Sequence, residues 1–475
     1  MEFSSTLFLL YFLPAFLVVY SLLGKNTSLK NWWILLASIG FYAWGAPEFV
    51  FILLISTVID FYVVKQLYLA ENHKRKRLLL ILSLTMNLGL LAYFKYANFF
   101  VENFNDMLHA IGVHRVGWTT VVLPIGISFY TFQTLTYSVD VYRGVHKPLA
   151  KLNQYLLYIM SFPQMIAGPI VRFNFIADQI TERREVIDDK LYGFYRFCIG
   201  LAKKVLISNV LGAQAKEIME LPPDQLSFIA SWIGILAYTF QIYFDFSGYS
   251  DMAIGLGKIM GFTFPENFNN PYNSKSITEF WRRWHITLGD WMKNYLYIPL
   301  GGSKVDSKFR LFFNLWLVFL ISGLWHGASW NFIIWGAFHG FFLILDRIFL
   351  KKLLDKAGTI PSVLFTFFVV MIGWVFFTIE DLDTALVYLS KMFTWDGIDM
   401  IEMTNESVAL LIVSAIISFA CLTRFGRFLE TFIYKEVNVN LITRLTLSFI
   451  GCVLFALCVG SITGEDFNPF IYFRF

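Results

Sequence analysis

His326 stands in Leu324-Trp325-His326-Gly327-Ala328-Ser329-Trp330, within residues 311–345, a run free of Asp, Glu, Lys and Arg. A second histidine, His285, stands in Trp281-Arg282-Arg283-Trp284-His285-Ile286. Imidazole titrates near neutrality and moves a proton in either direction. An ionisable side chain in so apolar a run is costly and is usually kept for a task. Acyl transfer from a thioester to an alcohol needs such a group. The attacking oxygen must lose a proton, and a developing oxyanion must be stabilised. A neutral ring hydrogen-bonded between helices explains a lone histidine equally well, but two around one interior are harder to explain that way. His339, in Trp335-Gly336-Ala337-Phe338-His339-Gly340, is a secondary candidate. On a helix continuous from His326 it would point about 140° away. His73, His109, His114 and His146 fall in loops or at helix ends and receive no role.

Local patterns say what positions these rings. Gly323 and Gly327 flank His326, which admits either a substrate or a tightly packed neighbouring helix. Trp325 and Trp330 could wall a channel. Ser276-Ile277-Thr278-Glu279 reads as a capping box opening a helix. Along it Phe280, Trp281, Trp284, Leu288, Trp291 and Tyr295 form one apolar stripe at i+3/i+4 spacing. Such a helix suits the membrane interface, and Pro299 with Gly301-Gly302 ends it. His285 lies on the stripe side, facing the bundle; Trp284 and, off the stripe, Arg282 are supporting candidates. Upstream, Tyr243–Asp251 closes an apolar run with Asp245 and Asp251. Ser247 or Ser250 could cap a short helix over 251–260. Asp245, between Phe244 and Phe246, either caps or fixes another buried polar group.

The 475 residues are 57% hydrophobic and 15% charged, with a net charge of +4. Soluble domains carry about 25% charged residues. Uncharged stretches recur at 3–24, 31–47, 78–94, 116–139, 152–171, 225–244, 311–345, 357–379, 407–423 and 445–464. Only helices satisfy every backbone polar group in lipid. The expectation is an all-α polytopic transmembrane bundle of about 11–13 membrane segments with interfacial or re-entrant helices. One integral membrane domain over 1–475 is the simplest partition. Met1-Glu2 leads the first apolar run and no A-x-A site follows, so the first helix is expected to stay. Basic clusters such as 73–77 and 347–356 alternate with acidic ones at Glu380/Asp381/Asp383, Asp396/Asp399/Glu402/Glu406 and Glu465/Asp466. With basic loops inside, both termini are expected outside, and parity is unclear only between Arg172 and Arg310. Cys198, Cys421, Cys452 and Cys458 fall in apolar segments without ligand spacing, so neither metal nor disulfide is expected. No nucleic-acid partner is expected either.

The blocks 243–256 (YFDFSGYSDMAIGL), 267–303 (NFNNPYNSKSITEFWRRWHITLGDWMKNYLYIPLGGS) and 322–341 (SGLWHGASWNFIIWGAFHGF) resemble membrane-bound O-acyltransferases. Within that superfamily, 123–145, 162–173 and the ending 470–475 (FIYFRF) resemble the alginate O-acetyltransferase membrane subunit branch. The resemblance implies a helical bundle with funnels from each face meeting at a thin centre. It makes His326 the counterpart of the family's essential residue and His285 that of its second characteristic histidine. It implies no bound cofactor; the acyl group would come from a cytoplasmic thioester, acetyl-CoA or another, and pass across a bacterial cytoplasmic membrane. The recipient is often an extracytoplasmic esterase-like partner protein that acetylates a polysaccharide. D-alanyl transferases of teichoic acids form a sister branch with the same two histidines. A glycan-precursor transporter would favour an inverted repeat, yet neither histidine block has a second copy. A non-enzymatic scaffold is the third reading.

Overall fold

The computed structural model describes residues 2–395, 397, 402–434, 440–464 and 471. Asp396, Asp399, Lys435, Glu465, Asp466 and the closing block 470–475 apart from Ile471 lie outside the described residues. Every regular element among the described residues is helical. Seven helices are long and apolar enough to cross a membrane: Val50–Leu69, His73–Ala110, Lys308–His326, Trp330–Ala357, Thr359–Thr378, Asn405–Leu422 and Leu441–Gly464. The shorter Phe8–Leu22 is also apolar. The 311–345 run supplies two of the crossings, as its length suggested.

Of the remaining uncharged stretches, 31–47 and 225–244 lie largely within the long helices Thr27–Gly45 (19 residues) and Phe228–Ile259 (32 residues), whereas two others are divided. Residues 116–139 divide into an extended segment ending at Pro124 and a helix of 16 residues, Ile127–Tyr142, entered through Gly126 at φ 76. Residues 152–171 divide into Leu152–Met160 and the single turn Phe162–Met165, which has Pro163 in its first turn. Irregular backbone at membrane depth is tolerated only where it is buried in protein or lines a cavity. Between Arg172 and Arg310, where charge parity fails, several helices are likewise short or broken.

The described chain clusters into two compact units. One comprises Leu7–Arg184 with Gly261–Phe264; the other comprises Glu2–Thr6, Glu185–Met260 and Pro265–Phe475. The first unit holds α1 (Val50–Leu69), α2 (His73–Leu91), α3 (Ile127–Tyr142) and α4 (Leu152–Met160). Asp60 of α1 joins them. Its carboxylate accepts from Ser83 Oγ (2.5 Å) and Asn87 Nδ2 (3.0 Å) of α2 and from Tyr155 OH (2.5 Å) of α4. Ser83 in turn meets Ser138 of α3 at 2.7 Å. Where lipid removes the hydrophobic drive between helices, such interhelical hydrogen bonds supply part of the association.

The second unit is built on α5 (Ile187–Ala202) and α6 (Phe228–Ile259). They cross at two glycine contacts. A Cβ on Gly200 would stand 2.4 Å from the Gly248 carbonyl oxygen, and one on Gly255 would stand 2.5 Å from that of Gly193. Only glycine lets the backbones approach so closely. A π-helical turn, Lys203–Ser208, follows α5. It aims Lys203 Nζ at Asp251 (2.7 Å) and Lys204 Nζ at Asp245 (2.7 Å), both on α6. α6 runs unbroken for 32 residues, so no separate helix starts at 251 and neither Ser247 nor Ser250 caps one.

Further along lie α7 (Ile277–Arg283), α8 (Ile286–Trp291), α9 (Lys308–His326), α10 (Trp330–Leu345) and α11 (Thr359–Thr378). α9 and α10 pack through glycines. A Cβ on Gly323 would meet the Phe332 carbonyl oxygen at 2.2 Å, and one on Gly336 that of Phe319 at 2.4 Å.

Candidate active site

The helix expected to carry His285 is two helices. α7 opens at Ser276, whose hydroxyl accepts from Glu279 N, while Glu279 Oε2 accepts from Lys275 N. Asp346, just past α10, adds a second anchor: its Oδ2 accepts from both Thr278 N and Thr278 Oγ1 at 2.8 Å. The helix stops at Arg283 because the extended segment before it competes for the backbone. Asn269 N donates to Arg283 O and Ile286 N to Asn267 O, each at 2.9 Å. Between these bonds His285 is forced to φ 46, ψ 53, a left-handed conformation that ordinary residues enter only under constraint. The stripe is still buried: Phe280, Trp284, Leu288 and Trp291 all face the interior.

α9 ends on His326. Gly327 then takes an extended conformation and Ser329 precedes α10. The two helices are therefore separate, and the angle expected between His326 and His339 on one helix does not apply. Both rings instead touch Trp335, with centroids at 5.1 Å and 5.2 Å. A Cβ on Gly327 would run into the Phe332 ring at 2.1 Å. The glycines beside His326 thus serve close packing of α10, not open access. Trp330 is 54% exposed and walls nothing at this site.

The three histidines are 2%, 3% and 0% exposed in chain order and share an aromatic cage. Trp325 lies 6.1 Å from His285 and 4.8 Å from His326 by ring centroids, so one indole touches both. Phe246 of α6 packs edge-on against His285 at 4.7 Å, and Phe377 of α11 against His326 at 5.1 Å. Trp284 packs at a tilt against Trp374 of α11 at 4.9 Å, and Trp281 meets His339 edge-on at 5.0 Å. His339 Nε2 faces Gly373, where a Cβ would stand 2.5 Å away. The indole N–H groups of Trp281 and Trp335, and His285 Nε2, have no hydrogen-bond partner among the described residues. Each is thus a buried polar atom whose bonding capacity no neighbouring side chain uses.

Asp245 and Asp251 take another part. Asp245 pairs with Lys204 and accepts from Ile471 N at 3.0 Å; it fixes a buried cation and does not cap. Asp251 binds Arg196 (2.7 Å) and Lys203 (2.7 Å), and Arg196 also holds Glu266 (2.6 Å). These ion pairs brace α5 against α6. Arg282 is exposed and bonds to nothing among the described residues. No three or more His, Cys, Asp or Glu side chains converge on a metal site among the described residues. Sequence reasoning missed Asn267, Asp346, Trp335, Trp374 and Phe377 as parts of the site. Their contacts cross between segments, and only the Asn-rich turn at 267–270 hinted at one of them.

Residues 145–379 match the model of the membrane-bound O-acyltransferase family. A "probable alginate O-acetylase" of Pseudomonas aeruginosa is 41% identical over 428 residues, 90% of this chain and 81% of the relative. A peptidoglycan O-acetyltransferase of Helicobacter pylori is 36% identical, covering 86% and 83%. A teichoic acid D-alanyltransferase of Bacillus subtilis is 31% identical over 271 residues, 54% of this chain and 68% of the relative. Histidines on the broken ends of apolar helices and this breadth of similarity lead to one assignment: the chain belongs to the membrane-bound O-acyltransferase family and is a multi-pass membrane O-acyltransferase.

Proposed function

We propose that the protein O-acetylates a cell-surface or exported polysaccharide of a bacterium, from its cytoplasmic membrane. The acetyl group is drawn from a cytoplasmic thioester, acetyl-CoA or another, and is handed across the membrane to the polymer or to an esterase-like partner outside it. His326 and His285 carry the proton. One imidazole takes it from the attacking hydroxyl as that oxygen bonds to the acyl carbon. The carbon–sulfur bond then breaks, and the departing thiolate recovers a proton from the imidazolium. The unpartnered Trp335 N–H beside His326 is the donor at hand for the oxyanion.

The observation that carries this reading is the pair of buried histidines joined through Trp325. Two relatives named for acetylation cover most of the chain, which favours acetyl. The second reading, D-alanyl transfer, draws on the Bacillus subtilis relative, which matches 54% of the chain. The test is His326→Ala in cells making the polymer. Polymer acetylation should be lost while the amount and thermal midpoint of the membrane protein stay near wild type; unimpaired acetylation overturns the reading.

A further inference from the structure

Asn267 is 1% exposed and lies on the extended segment between α6 and α7. Its Oδ1 stands 3.0 Å from His285 Nδ1, 2.8 Å from Thr287 Oγ1 and 3.4 Å from Thr287 N. Its Nδ2 donates to Ser250 Oγ on α6 at 3.0 Å. A backbone N–H can only donate, so the atom that Thr287 N approaches is the amide oxygen. An amide oxygen can only accept, so His285 Nδ1 must bear the hydrogen. A neutral imidazole protonated at Nδ1 keeps its lone pair on Nε2. That atom is buried and has no partner among the described residues.

The geometry points to Asn267 as the positioning residue that holds His285 in the Nδ1–H tautomer and presents Nε2 as the proton-accepting atom. The same residue grips the turn through its main chain, since Ile286 N donates to Asn267 O at 2.9 Å. Main chain and side chain together hold the left-handed conformation at His285 and the direction of its ring. Ser250 keeps the amide from rotating, so α6 reaches the imidazole through two hydrogen bonds in series. The inference rests on the reading of His285 as a proton carrier, and the test separates the two.

Nitrogen-15 spectra of histidine-labelled protein in lipid report which ring nitrogen is protonated; the His285 signal is identified by its loss in His285→Gln. Wild type should show Nδ1–H at neutral pH. Asn267→Leu should return the ring to Nε2–H, the form favoured in water, and Asn267→Asp, which still offers an acceptor, should keep Nδ1–H. Loss of the partner that orients a metal-bound histidine costs roughly 10- to 100-fold, and on that scale Asn267→Leu should lower kcat with KM little changed. Asn267→Asp should restore most of it. A role limited to stability would shift the unfolding midpoint and leave the tautomer alone. Nε2–H in wild type, which needs no variant to fold, overturns the proposal, as does Nδ1–H persisting in Asn267→Leu. A changed tautomer with undiminished kcat keeps Asn267 as the ring's anchor and overturns the role given to His285.

Discussion

His326 can accept a proton only if its ring stays neutral and dry until a hydroxyl arrives. Trp325, Trp335 and Phe377 pack their rings around it. Trp335 has two separable roles, packing against His326 and carrying an N–H. Trp335→Phe keeps the ring and removes the N–H, so kcat should fall while the fold persists. An oxyanion donor is worth on the order of 10²–10³ in kcat; a change under threefold would remove Trp335 from that role. Arg282→Ala makes the opposite test. Arg282 is exposed and bonds to nothing among the described residues, so acyl transfer should stay near wild type and stability within about 0.5 kcal/mol. A tenfold rise in KM for the thioester would show instead that it binds the donor. At this scale residue types were legible in the sequence, because a histidine in an uncharged run stands out. The partners were not. Asn267 reaches His285 and Phe377 reaches His326 from separate segments, and no local spacing encodes that approach.

Helix breaks determine where the reactive rings lie. An i+3/i+4 stripe from Phe280 to Tyr295 implies one helix, and the stripe is indeed buried. What periodicity cannot show is that an extended segment takes the hydrogen bonds of residues 283–286 and splits the helix at His285. For the same reason His339 looked remote: the break at Gly327 folds α10 back on α9 and brings both rings to Trp335. This packing makes a sharp prediction. Gly323→Ala puts a methyl group 2.2 Å from the Phe332 carbonyl, a backbone atom that cannot step aside. Overpacking of this kind costs about 1–3 kcal/mol, so the thermal midpoint in detergent should fall, and acyl transfer with it. An unchanged midpoint would mean that α9 and α10 can part at this crossing without loss of stability.

For the molecule as a whole, composition sufficed to predict an all-helical membrane protein, since so little charge over so long a chain leaves no alternative. The number of spans was less legible. Buried polar residues such as Asp60, whose carboxylate joins three helices, interrupt apolar runs without leaving the interior. The ion pair of Lys204 with Asp245 is the extreme case, with both side chains at most 2% exposed. Removing one member of a buried pair costs about 3–5 kcal/mol, whereas replacing both with apolar groups is often neutral. Lys204→Met should therefore destabilise strongly, and Lys204→Met with Asp245→Leu should regain most of the loss in the thermal midpoint. If the double variant is no better than the single one, the pair does more than hold α5 to α6.

The Asp245 carboxylate also has a calendar. Besides the Lys204 ammonium it accepts from the backbone of Ile471, 226 residues later in the chain. At a synthesis rate of about 5–20 residues per second, that interval lasts roughly 10 to 45 seconds. During that time α6 is already made while one oxygen of its central carboxylate lacks its final donor. The second unit therefore cannot reach its finished packing as its helices emerge one by one. Its maturation waits for a segment made long after the histidines are in place, and a ribosome stalled before Ile471 would leave both buried histidines made and the Asp245 carboxylate short of one donor.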